Sequence, residues 1–555
     1  MAEENKSIVV YGGTLAGVAA AAKAASHVDL NKTTITLIVP DPVDHNGNGV
    51  CLGGLATVGG QNFFDIRESA KYTKGSFAWW YGQWGQFYSV QKMSDRLKAD
   101  LTKKDFQDKN GQNKVHILYG YDIKSIGWGA PANITQVNLC QIEQDSDGRV
   151  VWGSKTCTVT GDYFIDASES GRLTRLSNFG GTTGRYDWPA EKLDADEQGP
   201  SGKARQQATT LMFKVKGLTV KERNTKLGYT DIEMEKRKNT WYATGGKKAY
   251  ADATKAIYKF NEAHRSEGIA LKPFNMAQDG ENAEEWWINT LLVFNVDGRA
   301  YNRDKGTSVF PKDMRSDYKT VDDAYVFAKK VLEYPDFLPA LRAFPEFENV
   351  ELVKDSKGKP VVAKILYLRE TIHSAQSSSA TARKNGSEDT NYAVHAKDFW
   401  DSGATKSTGT DKRNYAKRIG LNFYWLDINA YKIEDLKDKN GAYIWGEPIT
   451  GTVRSDIKNQ GNEDFPTVNS PAYIPYDALA TNFVYNLLIP GYAAGISSLG
   501  WSEARVLPNQ CVLGDAAGVA AVYAATNNKQ PLSFNSADIA KIQTTLAQSN
   551  ACLEK

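Results

Sequence analysis

The stretch that most constrains this chain is its start. Residues 7–11 (SIVVY) form a short apolar run that ends at Gly12 and Gly13. Leu15-Ala16-Gly17-Val18 then leads into an alanine-rich stretch reaching Ala25. Alanine is the strongest helix former, so the pattern predicts a strand, a tight turn and a helix. TITLIV (34–39) predicts a second buried strand. Strand, turn, helix and strand in that order open a doubly wound α/β sheet. A helix N-terminus carries unpaired N–H groups and a positive dipole end, so a glycine turn feeding one can hold a pyrophosphate. Set against G-x-G-x-x-G, the first and third glycines are Gly12 and Gly17, and Thr14 takes the middle place. The acidic residue expected at the end of the second strand is missing, because Val39 and Pro40 stand there. Asp41 from two residues later, a water or another loop could then reach the ribose hydroxyls. That arrangement suits a large cofactor gripped at several places better than a freely exchanging NAD.

The rest of the chain narrows the class. At 555 residues, 41% hydrophobic and 24% charged, it is long and apolar enough for a sizeable core. About 150 residues per domain suggests roughly two to four domains, some of them discontinuous. The 67 basic and 65 acidic side chains leave a net charge of +2. Nucleic-acid binding lacks its basic footprint. The cysteines (51, 140, 157, 511 and 552) are scattered without a CxxC pair, which excludes a disulfide framework and a zinc ribbon. No metal site is expected. The N-terminus shows no leader-like pattern, and Lys23, His27 and Asp29 interrupt the first helix. The expectation is a cytoplasmic protein that binds no membrane.

Further along, 41–62 reads as a glycine-rich loop, 115–127 and 134–143 as strands, and 158–168 as one strand ending in small residues. Residues 186–290 are polar, with KERNTK and EMEKRK runs that read as solvated helix faces and loops. Residues 374–416 predict a long irregular insertion. NFVYNLLIP (482–490) predicts a strand, and GDAAGVAAVYAA (514–525) a helix opening on Gly514-Asp515.

Taken in order, VVYGGTLAGVAAAAKAA, CLGGLATVGGQNFFD (51–65), GDYFIDASESGRL (161–173) and the segment from IPYDALATNFVYNLLIPGY to SEARVLPNQCVLGDAAGVAA (474–521) resemble the FAD-dependent oxidoreductase family of the glutathione-reductase-like superfamily. Its nucleotide turn reads GGTxAG, which accommodates Thr14. The resemblance covers the flavin-binding pieces, about 40% of the chain. It implies that Gly12, Gly13, Thr14, Leu15, Ala16 and Gly17 cradle the FAD pyrophosphate. Gly53, Gly54 and Thr57 would admit the flavin or its ribityl chain, and Ala167 and Ser168 would end a strand beside the nucleotide. Ile123 would clamp the adenine through its backbone. Gly514, Asp515 and Gly518 would form a second flavin signature, with the Asp515 carboxylate on a ribityl hydroxyl. Two departures stand out: the missing ribose acid, and ESGR (169–172) where a GDGD-like run is common.

FAD supplies the redox step, while the protein supplies position and a base. LRETIHS (368–374) resembles the family's R-E-[ST]-x-R segment, making Arg369 an anchor for a carbonyl or anionic oxygen and His373 the candidate base. Glu370 can pair with Arg369. LNFYWLDINAY (421–431) matches a stretch that reads Y-x-x-D-I-H, with Asn429 in place of the histidine. His395, His45 and Cys51 are lesser candidates. Trp80, Trp84, Phe87 and Tyr88 follow one helical face, as core packing or as a substrate platform. Trp400, Trp425 and Trp445 add to the second reading.

The expected architecture is an α/β fold with a Rossmann-like FAD domain from 1–185 and 470–555, and a mixed α+β substrate or cap domain at 186–469. The expected activity is hydride transfer from a small organic substrate, a sugar derivative or an aromatic compound, to flavin N5. The electron acceptor and any homo-oligomer stay open. A flavin monooxygenase is the first alternative, and a non-catalytic binding protein that keeps the fold is the second.

Overall fold

The computed structural model describes residues 5–177, 181–185, 206–220, 232–374, 392–438, 440–446, 468–480 and 484–555. Its first layer is a parallel sheet. Strand β1 (Lys6–Tyr11) lies between β2 (Thr33–Val39) and β7 (Tyr163–Asp166), with β3 (Val115–Tyr119) outside β2 and β20 (Leu487–Leu488) outside β7. Every neighbouring pair is parallel. These strands are buried on both faces, which is why they read as continuous apolar runs rather than as alternation. The order steps outward through β2 and β3 and then reverses to β7. The reversal point, outside the carboxyl ends of β1 and β7, is where such sheets bind ligands.

Helix α1 (Leu15–His27) crosses from β1 to β2. Thr14 caps it, with Oγ1 accepting from Gly17 N–H and donating to the Ala167 carbonyl at 2.8 Å. Against α1 lies a long helix, α6 (Leu507–Asn527); between them in sequence come α2 (Ser76–Trp84), α3 (Val90–Leu101), α4 (Val321–Val331) and α5 (Ser498–Ala504). α6 differs from the predicted helix. It begins at Leu507, with Pro508 in its first turn, so Gly514 and Asp515 sit mid-helix. The two glycines serve packing there. A Cβ on Gly514 would lie 2.3 Å from the Ala16 carbonyl oxygen, and one on Gly518 2.4 Å from that of Ala20.

The predicted strand at 158–168 is two elements. β6 (Val150–Thr160) belongs to an antiparallel sheet with β4 (Tyr121–Gly129) and β5 (Asn133–Gln144), and β7 starts after a turn at Gly161. Gly120 likewise divides the stretch at 115–127 between β3 and β4. The largest difference falls at 186–290. KERNTK lies outside the described residues, as do 186–205 and 227–231, and in what is described sheet outweighs helix. β9 (Thr209–Lys216), β10 (Ile232–Arg237), β11 (Thr240–Gly245), β12 (Ile269–Gln278) and β13 (Trp286–Val293) join β16 (Glu351–Leu352) in a six-stranded antiparallel sheet. The charges of EMEKRK occupy the exposed positions of the β10 edge hairpin. β13 is buried along its whole length. Polar composition misleads here because the charges cluster in the turns and on one edge. Part of the predicted insertion at 374–416 (375–391) lies outside the described residues, and in the rest Lys397–Trp400 and Asp411–Asn414 are short helices. Of the predicted strand at 482–490, only Leu487–Leu488 pairs.

Candidate functional site

The carboxyl edge of the parallel sheet opens into a cavity of about 720 Å³, lined by the β1 turn, Pro40–Pro42, Asp122, Ser168–Ser170, Tyr301, Arg303 and one side of residues 364–368. The glycines here answer to sterics. Gly12 has φ +119°, and a Cβ on it would lie 2.6 Å from the Ala167 carbonyl carbon; one on Gly17 would strike the Gly12 oxygen. The 51–57 loop joins this turn, since Gly53 N–H donates to the Gly13 carbonyl at 2.7 Å. A Cβ on Gly54 would touch Thr14 and the Glu169 carboxylate. Thr57 bonds the Leu52 carbonyl within its own turn. Ser168 Oγ donates to Asp166 and accepts from Gly171 N–H, fixing the loop after β7. Gly491, following β20, closes on the same loop, where a Cβ would lie 2.6 Å from the Ser168 carbonyl.

The cavity's polar groups fit a dinucleotide. The first turn of α1 leaves backbone N–H groups without helical partners. Asp41 lines the cavity, and its Oδ2 is buried without a partner among the described residues. Burial, and then the Asp122 charge, push its carboxyl up to about 7. Arg303 gives one guanidinium nitrogen to the Asp122 carboxylate, while its Nε and Nη1 are buried and unpartnered among the described residues. Glu169 is pushed up to about 8, by burial first and by Asp41 second. Near neutrality it is mostly uncharged, so it adds little negative charge opposite a pyrophosphate. Unpaired cationic N–H groups, an unpaired carboxylate oxygen and a glycine cradle are what FAD's pyrophosphate and ribose would require.

Of the expected cofactor contacts, Leu15, Ala16, Gly17, Gly53, Gly54, Thr57, Ala167, Gly514 and Gly518 do not themselves line this cavity, and neither do Ile123 and Asp515. Both backbone groups of Ile123 are taken, its N–H by Asp122 and its carbonyl by Arg172 Nε. Asp515 accepts from the N–H and Oγ of Ser76 on α2. Asp122, Arg303 and Gly491 are the residues that the sequence reading passed over here. Gly491 follows an apolar strand, as Gly12 does, which was the available signal.

A second cavity lies on the other side of residues 364–369. Lys364, Ile365, Leu366 and Leu368 line the first cavity, whereas Tyr367 and Arg369 line the second. From Leu366 to Arg369 the segment is extended and pairs with β9, Tyr367 and Thr210 exchanging N–H···O bonds, so alternate side chains point to opposite sides. The second cavity, about 970 Å³, also takes Gln61, Asp65, Thr244, Lys272, Asn275, Asn289, Asp427, Asn429 and Arg505. Arg369 Nη2 donates to the Asp427 carbonyl at 2.8 Å and lies 3.2 Å from its carboxylate. Arg505 Nη2 pairs with the same carboxylate, and its Nη1 bonds Tyr367 Oη. Burial opposes charge on Asp427, but the two arginines outweigh it and hold the carboxyl far below the usual range. Asn429 is fixed by its N–H donating to Gln207 Oε1 at 2.9 Å.

Arg369 and Asn429 therefore share one cavity, and His373 lies apart from them. It sits on β17 (Ile372–Ser374), paired with β8 (Gly181–Thr183), is fully buried and lines neither cavity. Its Nε2 meets Glu370 at 3.1 Å, and Glu370 also accepts from Ser498 Oγ on α5. His395 is buried, and His45 Nε2 bonds the Ile142 carbonyl. Cys51 is buried, with burial raising its thiol. The aromatic stripe is core: α2 ends at Trp84, and Trp80, Phe87 and Tyr88 are buried. Trp400 and Trp445 are buried, Trp425 is half exposed over Arg67, and none of the three lines the second cavity. Lys272 and Arg505 were missed. For Lys272 the signal was a lone basic residue inside an apolar run, IALKPF; Arg505, in SEARVL beside Glu503, carried none.

The family model described as FAD dependent oxidoreductase matches residues 7–546. No curated protein matches the chain. Solved structures similar to it include the myxobacterial chondrochloren halogenase CndH, at 8% identity over 67% of this chain and 65% of that one (TM-score 0.29). p-Nitrophenol 4-monooxygenase PnpA from Pseudomonas putida DLL-E4 is similar at 10% over 52% and 58% (0.22). Tetracycline destructase Tet(51) is similar at 10% over 53% and 57% (0.22). The chain spans less than two thirds of each of these proteins.

Proposed function

Given that the chain belongs to the FAD dependent oxidoreductase family, we propose that it oxidises a small organic molecule held in the second cavity, with FAD held in the first. The observation that carries this reading is the shared wall: the segment 364–369 lines both cavities, its residues alternating between them from Leu366 to Arg369. The turn 12–17, Asp41, Arg303 and the 53–54 loop would hold FAD, which supplies a two-electron acceptor when bound. Arg369 and Arg505 are held rigid by Asp427 and orient a substrate oxygen, and Asn429 offers an amide beside them. Tyr367 and the β12–β13 side chains exclude water from that space. His373 would act as a positioning residue at most, through Glu370.

The test is spectroscopic. The purified protein is expected to carry flavin absorbance, or to regain it with added FAD. Anaerobic mixing with hydroxy acids, sugars and amines is expected to bleach it without NAD(P)H. Bleaching by NAD(P)H alone would favour the monooxygenase reading. Protein that neither carries nor takes up flavin would refute both and leave the non-catalytic reading.

A further inference from the structure

Lys272 is a lysine in a place where lysine is costly. It lies on β12 in the run IALKPF, is 7% exposed, and lines the second cavity. Among the described residues no hydrogen bond or ion pair reaches its ammonium. The carboxylates facing it, Asp427 and Asp65, act only at a distance, and Asp427 is committed to Arg369 and Arg505. An uncompensated buried ammonium is strongly unfavourable unless something pairs with it. Around the cavity Arg369, Arg505, Lys272 and Lys247 are cationic, against the Asp427 carboxylate. Burial raises the Asp65 carboxyl, so that group adds less than a full negative charge.

We propose that the second cavity is a recognition site for a small hydroxylated carboxylic acid, whose carboxylate pairs with Lys272 Nζ beside Arg369 and Arg505. This rests on the reading of that cavity as the substrate site and names its substrate class. Hydroxyl groups are provided for as well. Asn275 and Asn289 line the cavity, and Asn289 Oδ1 is buried without a partner among the described residues.

Lys272 also gives the site a pH signature. Burial and then the Arg369 charge lower its ammonium to about 8, with Asp427 and Asp65 opposing and Arg505 assisting. Anion binding is therefore strongest near neutrality and weakens as the pH rises through 8.

The test is calorimetric binding to the purified full-length protein, which needs no turnover. Two matched pairs separate charge from shape: lactate against methyl lactate, and glucuronate against glucose. At least one acid is expected to bind at least tenfold more tightly than its neutral partner, and to weaken several-fold between pH 7 and pH 9. Lys272→Met is expected to lose at least tenfold in affinity and to abolish that pH dependence, while Lys272→Arg keeps the affinity. Neutral partners binding as tightly as the acids, tighter binding of glycerol phosphate than of any acid, or unchanged acid binding in Lys272→Met would overturn the proposal. Acid binding without flavin bleaching would leave this site standing and count against the oxidase reading. Bleaching by neutral compounds alone would do the reverse.

Discussion

At Gly12 the backbone itself decides what the residue can be. Its φ of +119° and a would-be Cβ 2.6 Å from Ala167 leave no room for alanine. Gly12→Ala is expected to yield folded protein that loses its flavin absorbance; full flavin content in that variant would remove the cradle from the account. The carboxyls beside it set a pH dependence. Unfolded Asp and Glu titrate near 4, whereas folded Asp41 and Glu169 titrate at about 7 and about 8. The folded state therefore holds more protons between about pH 4 and 8, and stability falls as the pH rises through that window. The thermal midpoint of the flavin-free protein is expected to drop between pH 5 and pH 8, and to drop less in Asp41→Asn/Glu169→Gln. A midpoint that rises over that range contradicts the assignment. These two scales of chemistry were unequally visible in the sequence. The turn 12–17 was legible because its demands are local: each glycine answers to atoms a few residues away or to the adjoining strand end. The cluster of Lys272, Arg369, Asp427 and Arg505 was not, because four distant segments assemble it. Arg369 was reached through the family resemblance, and Lys272 carried one further signal, a single charge inside an apolar run.

At the scale of elements, α1 and α6 are pressed together at Ala16–Gly514 and Ala20–Gly518. Both glycines have ordinary helical backbone, so only packing limits them. Gly518→Ala drives a methyl group into a backbone carbonyl and is expected to cost about 1–3 kcal/mol in a denaturant titration. Gly82→Ala on α2, where a Cβ meets nothing within 4 Å, provides the contrast. It is expected to gain about 0.5–1 kcal/mol. Equal effects at the two sites would refute the close-packing role. The predicted helix at 514–525 was right in kind and wrong in its start, because Pro508 and the apolar run before Gly514 already belong to it. The antiparallel sheet was missed because its charges lie in turns and on the β10 edge, and these outweigh the apolar runs of β12 and β13 in a composition reading.

At the scale of the whole molecule, the parallel sheet offers a nucleotide edge, the antiparallel sheet offers a polar cavity, and residues 364–369 form the wall between them. The near-balanced net charge gave no hint of the local excess of positive charge, since charge summed over 555 residues hides a cluster of four. If the wall joins cofactor to substrate, a change on its far side should alter reduction and leave cofactor retention untouched. Asp427→Asn is the most direct case, because it removes the carboxylate that both arginines face, keeps the backbone carbonyl they also bond, and does not touch the first cavity. The decisive measurement is anaerobic stopped-flow reduction of this variant beside the wild type, using an acid that bleaches the latter. The expected result is equal flavin content with reduction slowed at least tenfold. Reduction at the wild-type rate, or loss of flavin from the variant, would contradict the division of labour between the two cavities.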